Sequence, residues 1–172
     1  DVNDGPNWII IRTSNYANLP SEGNRLQPTP TNDSDLATIE GNSAGTTEIL
    51  TIEASDNDKT GGASKIAFIG VQFVPASGVH SNANVRIGIT SSGATPARAN
   101  PANVEDLCSD LIFYQCRFST LTDRSVRDLM LRLDGDNVVC SCCDFYVDQV
   151  SSGFGDGAIA VRSYAGTGIR IY

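Results

Sequence analysis

The chain has 172 residues, a formal net charge of −8, 40% hydrophobic residues and 19% charged ones. That supplies the interior of one domain and excludes a membrane-spanning helix, because the longest apolar runs, such as Trp8-Ile9-Ile10-Ile11, fall far short of the roughly 20 residues needed. The acidic balance, with Lys and Arg scattered, disfavours a nucleic-acid partner. A polyanionic ligand would need a local Arg patch, whereas a neutral glycan meets no such obstacle.

In chain order, Asn7-Trp8-Ile9-Ile10-Ile11-Arg12 reads as an interior strand with no cap before it. The chain opens at Asp1 without an initiator Met or a signal peptide and stops at Tyr172 partway through a rung, so a segment of a longer solenoid is expected. Abundant Asn, Ser, Thr and Gly with little Lys favour an extracellular or cell-surface location. Residues 18–47 are loop-like, with Pro20, Pro28 and Pro30 spaced along them, and Glu48-Ile49-Leu50-Thr51-Ile52-Glu53 then reads as a strand.

The informative feature comes next. Ser64-Lys65-Ile66-Ala67-Phe68-Ile69-Gly70-Val71-Gln72-Phe73 is repeated in kind by Ser109-Asp110-Leu111-Ile112-Phe113-Tyr114-Gln115-Cys116-Arg117-Phe118 and by Asp136-Asn137-Val138-Val139-Cys140-Ser141-Cys142-Cys143-Asp144-Phe145. Thr167-Gly168-Ile169-Arg170-Ile171-Tyr172 begins a fourth copy. Each reads apolar, variable, apolar, two variable, apolar, variable, Phe, which is strand alternation broken once by a bend. Stacking them gives the column Ile66, Leu111, Val138, Ile169, and others through Phe68, Val71 and Phe73.

The offsets are 27 residues from Leu111 to Val138, 31 from Val138 to Ile169, and 45 from Ile66 to Leu111. One solenoid coil fits the first two, and a coil with an inserted loop fits the third, whereas propeller blades run consistently at about 40–45. A second strand column precedes each later copy: Val85-Arg86-Ile87-Gly88-Ile89, Leu129-Met130-Leu131-Arg132-Leu133 and Ala158-Ile159-Ala160-Val161. The expected fold is an all-β, right-handed parallel β-helix forming one unit over 1–172, with loop excursions near 18–47 and 76–107. Helical periodicity is confined to the neighbourhood of Asn103 to Cys108.

With these motifs assembled, the chain resembles the right-handed parallel β-helix proteins of the pectate-lyase-like superfamily. It looks closest to bacterial exported β-helix repeat proteins carrying segments like Trp8-Ile9-Ile10-Ile11-Arg12-Thr13-Ser14 and Leu19-Pro20-Ser21-Glu22-Gly23-Asn24-Arg25. The resemblance implies a carbohydrate-directed protein that binds or cleaves a polysaccharide, as a polysaccharide lyase or glycoside hydrolase if it is an enzyme. The alternative is a structural subunit of a surface filament, adhesin or phage tail fibre, associating through open solenoid ends.

Candidate chemistry is sparse. If Leu131 and Val161 share an interior column, Arg132 and Arg162 project side by side from adjacent coils, near Asp134 and Asp156 at the strand margins. Such a row could hold a uronic acid or, with an acid and a base, cleave its linkage; a solvated, self-compensating charge ladder is the simpler explanation. Tyr164 joins Arg132 and Arg162 as a substrate-binding candidate, and Tyr114, Tyr146 and Phe154 are further aromatics that either stack on sugars or pack under loops. Asp134-Gly135-Asp136-Asn137 and Asp56-Asn57-Asp58 offer oxygen ligands of the kind Ca2+ takes, and turn chemistry accounts for both. His80, the only histidine, sits in a polar loop without a nucleophile motif, so no catalytic triad is expected. Cys116 and Cys143 fall in one interior column on neighbouring coils, where either a disulfide or a reduced stack fits. Cys140 is interior, Cys142 points outward, and a Cys108–Cys142 bridge is the weaker pairing.

Overall fold

A computed structural model of the chain describes residues 7–27, 32–40, 50–54, 64–74, 83–89, 109–119, 129–133, 136–146, 159–161 and 170–172. Thirteen strands carry the fold among them: β1 (Ile9–Arg12), β2 (Ala37–Glu40), β3 (Leu50–Ala54), β4 (Ser64–Ile69), β5 (Val71–Val74), β6 (Ala83–Ile89), β7 (Ser109–Tyr114), β8 (Arg117–Ser119), β9 (Leu129–Leu133), β10 (Asp136–Ser141), β11 (Asp144–Tyr146), β12 (Ile159–Val161) and β13 (Arg170–Ile171). The only helical elements among the described residues are two 3-10 turns, Tyr16–Asn18 and Asp33–Asp35.

The strands form three sheets, and every pairing is parallel. Sheet A has the order β1-β4-β7-β10-β13, sheet B β11-β8-β5-β2, and sheet C β12-β9-β6-β3. The chain visits A, B and C in turn and then returns to A beside the strand it left. Four such circuits are described, followed by the start of a fifth at β13.

The register follows the apolar columns. Ile66 pairs with Leu111 and Leu111 with Val138, as the stacked motifs require. Val139 opposite Arg170 carries the same alignment into β13, while residue 169 itself lies outside the described residues. Ile9 opposite Ile66 adds a first member that the Phe-ended motif does not reveal. The second strand column also exists, although the 18–47 stretch contains a true rung, β2, pairing Ile39 with Phe73.

Stacked phenylalanines fill the interior. Phe68 and Phe113 lie face to face at 5.2 Å, Phe73 and Phe118 at 5.1 Å, and Phe118 and Phe145 at 5.0 Å. The two stacks meet edge to face, as in Phe113 against Phe118 at 5.7 Å. Offset and edge-on arrangements satisfy the ring quadrupoles while removing large apolar areas from water. Val71, Leu111, Cys116, Val138, Cys140 and Cys143 close the remaining space.

The bend between sheets A and B falls at one repeat position. Gly70, Gln115 and Cys142 all have positive φ there, at 62°, 49° and 56°. A left-handed residue turns the strand sharply enough to bring the next apolar side chain back inside. Lys65, Asp110 and Asn137 form a second left-handed row at the start of sheet A, where the Asn137 amide donates to Asp110 Oδ1 at 2.5 Å.

Candidate functional site

Two rows of polar positions run along the stack. The first is on sheet C, where Leu50, Val85, Leu131 and Ile159 share one register line. The adjacent line is Thr51, Arg86, Arg132 and Ala160. Arg132 therefore stands next to Arg86, and on its other side meets Ala160. Val161 pairs with Leu133 and not with Leu131, which removes the register that would seat Arg162 beside Arg132. The sequence expectation slipped here by two positions, because Leu-Met-Leu-Arg-Leu offers two equivalent apolar alignments against Ile-Ala-Val. Arg162, Asp134, Asp156, Tyr164, Phe154, His80, Cys108, Asp56 and Asp58 lie outside the described residues.

The second row is on sheet B: Thr38, Gln72, Arg117 and Asp144. These alternate with the inward Val71, Cys116, Cys143 and Phe73, Phe118, Phe145, so they belong to the outer surface. Yet Arg117 and Asp144 are only 2% and 3% exposed. The cover is residues 13–27, which follow β1 and run across the A–B bends of successive circuits, together with residues 32–36, which lead into β2.

That strap is held at each level. Near the first two circuits the Thr13 N–H donates to the Ile69 carbonyl, and the Thr13 hydroxyl and Asn15 amide donate to Asp35 O and Ser34 O. Leu19 packs over Gly70, where even a Cβ would lie 2.7 Å from Leu19 Cδ1. In the third circuit, Gln115 Nε2 donates to the carbonyls of Pro20 and Asn24 at 2.8 and 2.9 Å, and the Tyr114 hydroxyl accepts from Gly23 N–H. In the fourth, Leu26 N–H reaches the Cys142 carbonyl and Arg25 Nε the Cys143 carbonyl. Leu19, Leu26 and Leu36 form a small core of their own against Ile69.

Arg117 joins these pieces. Its Nε donates to Asp144 Oδ2 at 3.0 Å, Nη1 pairs with Asp33, and Nη2 donates to the Gln27 carbonyl at 2.8 Å. Arg25 supports the far side of Asp144 at 3.3 Å. Every nitrogen of the buried guanidinium thus has an acceptor, the condition under which a charge tolerates desolvation. Tyr114, an aromatic expected to stack on sugars or pack under a loop, does the latter.

Cys116, Cys140 and Cys143 are buried together as free thiols. Cys116 and Cys143 do occupy one column, and each thiol donates to a carbonyl of the preceding circuit, Phe68 at 3.3 Å and Phe113 at 3.4 Å. Burial, reinforced by Cys143, pushes the Cys116 thiol well above its ordinary value, with the Val71 backbone N–H opposing. Burial, then Cys143, likewise raises Cys140. Neutral thiols of this kind are poor nucleophiles and behave as small apolar side chains. Cys142 is half-buried at the bend, outside the core.

Among the described residues no group of three or more His, Cys, Asp or Glu is arranged to hold a metal ion, and no helix is long and apolar enough to cross a membrane. No family model matches the chain, and neither does any curated protein or solved structure.

Proposed function

We propose that this chain forms an extracellular right-handed parallel β-helix that binds or cleaves a polysaccharide. The handedness follows from a general rule: parallel strands joined by a crossover in one sheet are connected right-handedly in about 98% of cases. The cyclic passage through three parallel sheets is the arrangement to which that rule applies.

The observation that carries the functional reading is the sheet C line on which Arg86 and Arg132 occupy neighbouring strands. Adjacent strands lie about 4.8 Å apart, and like charges directly opposite one another are destabilising. Two arginines at neighbouring positions of one line, between Thr51 and Ala160, suit a polymer that carries acceptors along its length. The net charge of −8 supports a glycan over a nucleic acid.

The test is a glycan array with mass-spectrometric product analysis, with and without a calcium chelator, on the unaltered chain and on Arg86→Ala/Arg132→Ala. Retention of a polysaccharide by the unaltered chain and its loss in the double variant are expected. Retention unchanged in the double variant removes this row from the site. Products lacking in every condition make the protein a binder, and a chelator effect assigns Ca2+ a role. The second reading, a structural subunit, rests on the exposed Ile10 and Ile11 of β1 and on Trp8 just before it. A monodisperse monomer in light scattering argues against it.

A further inference from the structure

The outermost described strand of sheet A presents a physical puzzle. β1 has four residues, three of them exposed, and Trp8, Ile10 and Ile11 are 42%, 58% and 40% exposed. Burial this small leaves little surplus over the conformational entropy lost in ordering the segment. In a stack whose circuits touch only their neighbours, such a terminal strand frays independently of the rest. β1 is nevertheless paired along its whole length with β4.

What differs at this end is the strap. The chain passes from Arg12 directly into Thr13, and from there residues 13–27 make bonds to the circuits down to the fourth, while residues 32–36 lead into β2. Its two limbs are also tied to each other, by Thr13 to Asp35, Asn15 to Ser34 and Asn18 to Asp35. Residues 13–27 are anchored on Gln115, Cys142, Cys143 and, through the Gln27 carbonyl, Arg117, and residues 32–36 on Arg117 through Asp33.

We infer that the strap is an axial brace that converts a nearest-neighbour stack into one cooperative unit, coupling the first circuit to the fourth, with Arg117 and Gln115 as its fastenings. In an unbraced solenoid the opening of β1 disturbs only β4. Here opening β1 pulls on Thr13, and through the strap on residues three circuits away. The coupled element is the strap itself, with two arrangements, seated or released.

Trp8 makes the inference testable, because it is the single tryptophan of the 172 residues and stands immediately before β1. Urea unfolding is followed by Trp8 fluorescence and by far-UV circular dichroism, in the unaltered chain and in Arg117→Met/Gln115→Asn. Asn is chosen because it tolerates the left-handed conformation of residue 115 while being too short to reach both strap carbonyls. In the unaltered chain the two midpoints coincide. In the double variant the Trp8 midpoint moves below the circular-dichroism midpoint by more than about 0.5 M urea. A Trp8 transition that already precedes the other in the unaltered chain overturns the inference, as does coincidence preserved in the double variant. If the double variant does not fold, Gln115→Asn alone is compared in the same way, and the coincidence required of the unaltered chain stands as a test by itself.

Discussion

Truncating Phe113 to alanine probes the interior at its most connected point. Its ring is fully buried, stacked on Phe68 at 5.2 Å and edge-on to Phe73 at 6.2 Å and Phe118 at 5.7 Å. Removing a core Phe costs about 3–5 kcal/mol through lost transfer energy and the cavity left behind. The three ring contacts, at roughly 0.5–1.5 kcal/mol per aromatic pair, place Phe113→Ala at the upper end of that span. Collapse is hindered because Phe73 and Phe118, which meet it edge-on, are themselves stacked on each other at 5.1 Å, so about 4–5 kcal/mol is expected. Domains of this kind hold only about 5–15 kcal/mol in all, so the variant sits near the edge of folding. The assay is urea denaturation by circular dichroism with Ile10→Ala as reference, since Ile10 is 58% exposed and its truncation costs below about 0.5 kcal/mol. A loss at Phe113 under about 2 kcal/mol would refute the stacked interior.

Two further outcomes test the thiols and the bend. Because Cys116 and Cys140 titrate higher folded than unfolded, the unfolded thiols ionise first, near 8.5. Their contribution is complete below that pH and is lost as pH rises toward the folded values, at about 1.4 kcal/mol per pH unit per thiol. Unfolding free energies measured between pH 8 and 10 should therefore fall, with a shallower slope in Cys116→Val/Cys140→Val; an unchanged slope contradicts the assignment. Gly70 and Gly23 both have positive φ, but an alanine methyl at 70 meets Leu19 and Thr13 at 2.7 Å while one at 23 meets nothing within 4 Å. Gly70→Ala is expected to cost about 2–4 kcal/mol and Gly23→Ala about 1–2 kcal/mol by thermal or urea unfolding. Equal costs would mean the strap is not seated on the bend.

The rungs were legible because burial imposes a repeated demand on sequence. Inward positions 66, 111 and 138 had to be aliphatic, 73, 118 and 145 had to be Phe, and the side-chain period of two carried the register with them. In the first circuit β1 and β3 were legible as strands, but β2 escaped because 24 residues separate it from β1, so no continuous decapeptide exists there. The slip at Arg132 arose where no Phe marks the register. The strap left a different trace. Aligning the copies puts Gln72, Arg117 and Asp144 in one outward row, and an Arg beside an Asp across neighbouring strands is a cross-strand ion pair that alternation alone exposes. Its burial was not readable, since the residues that cover it come from a loop whose path follows no period.

The cost of burying Arg117 separates what the ion network contributes to stability from what it contributes to placement. Arg117→Met leaves Asp144, with a side chain 5% exposed, facing, among the described residues, only Arg25, whose own side chain is 63% exposed. Stripping one partner from a buried pair costs about 3–5 kcal/mol, chiefly through the charge left behind. Adding Asp144→Leu removes that charge, while Asp33, 40% exposed, returns to water readily. Arg117→Met/Asp144→Leu is therefore expected to recover most of the loss in global urea stability. It does not restore the bonds to Asp33 and Gln27, so the Trp8 transition should remain detached from the global one even as the interior regains its strength. Recovery of both together would mean that apolar packing alone seats the strap. Recovery of neither would mean that the Arg117–Asp144 pair itself contributes net stability, which full desolvation of both partners makes the less favourable balance.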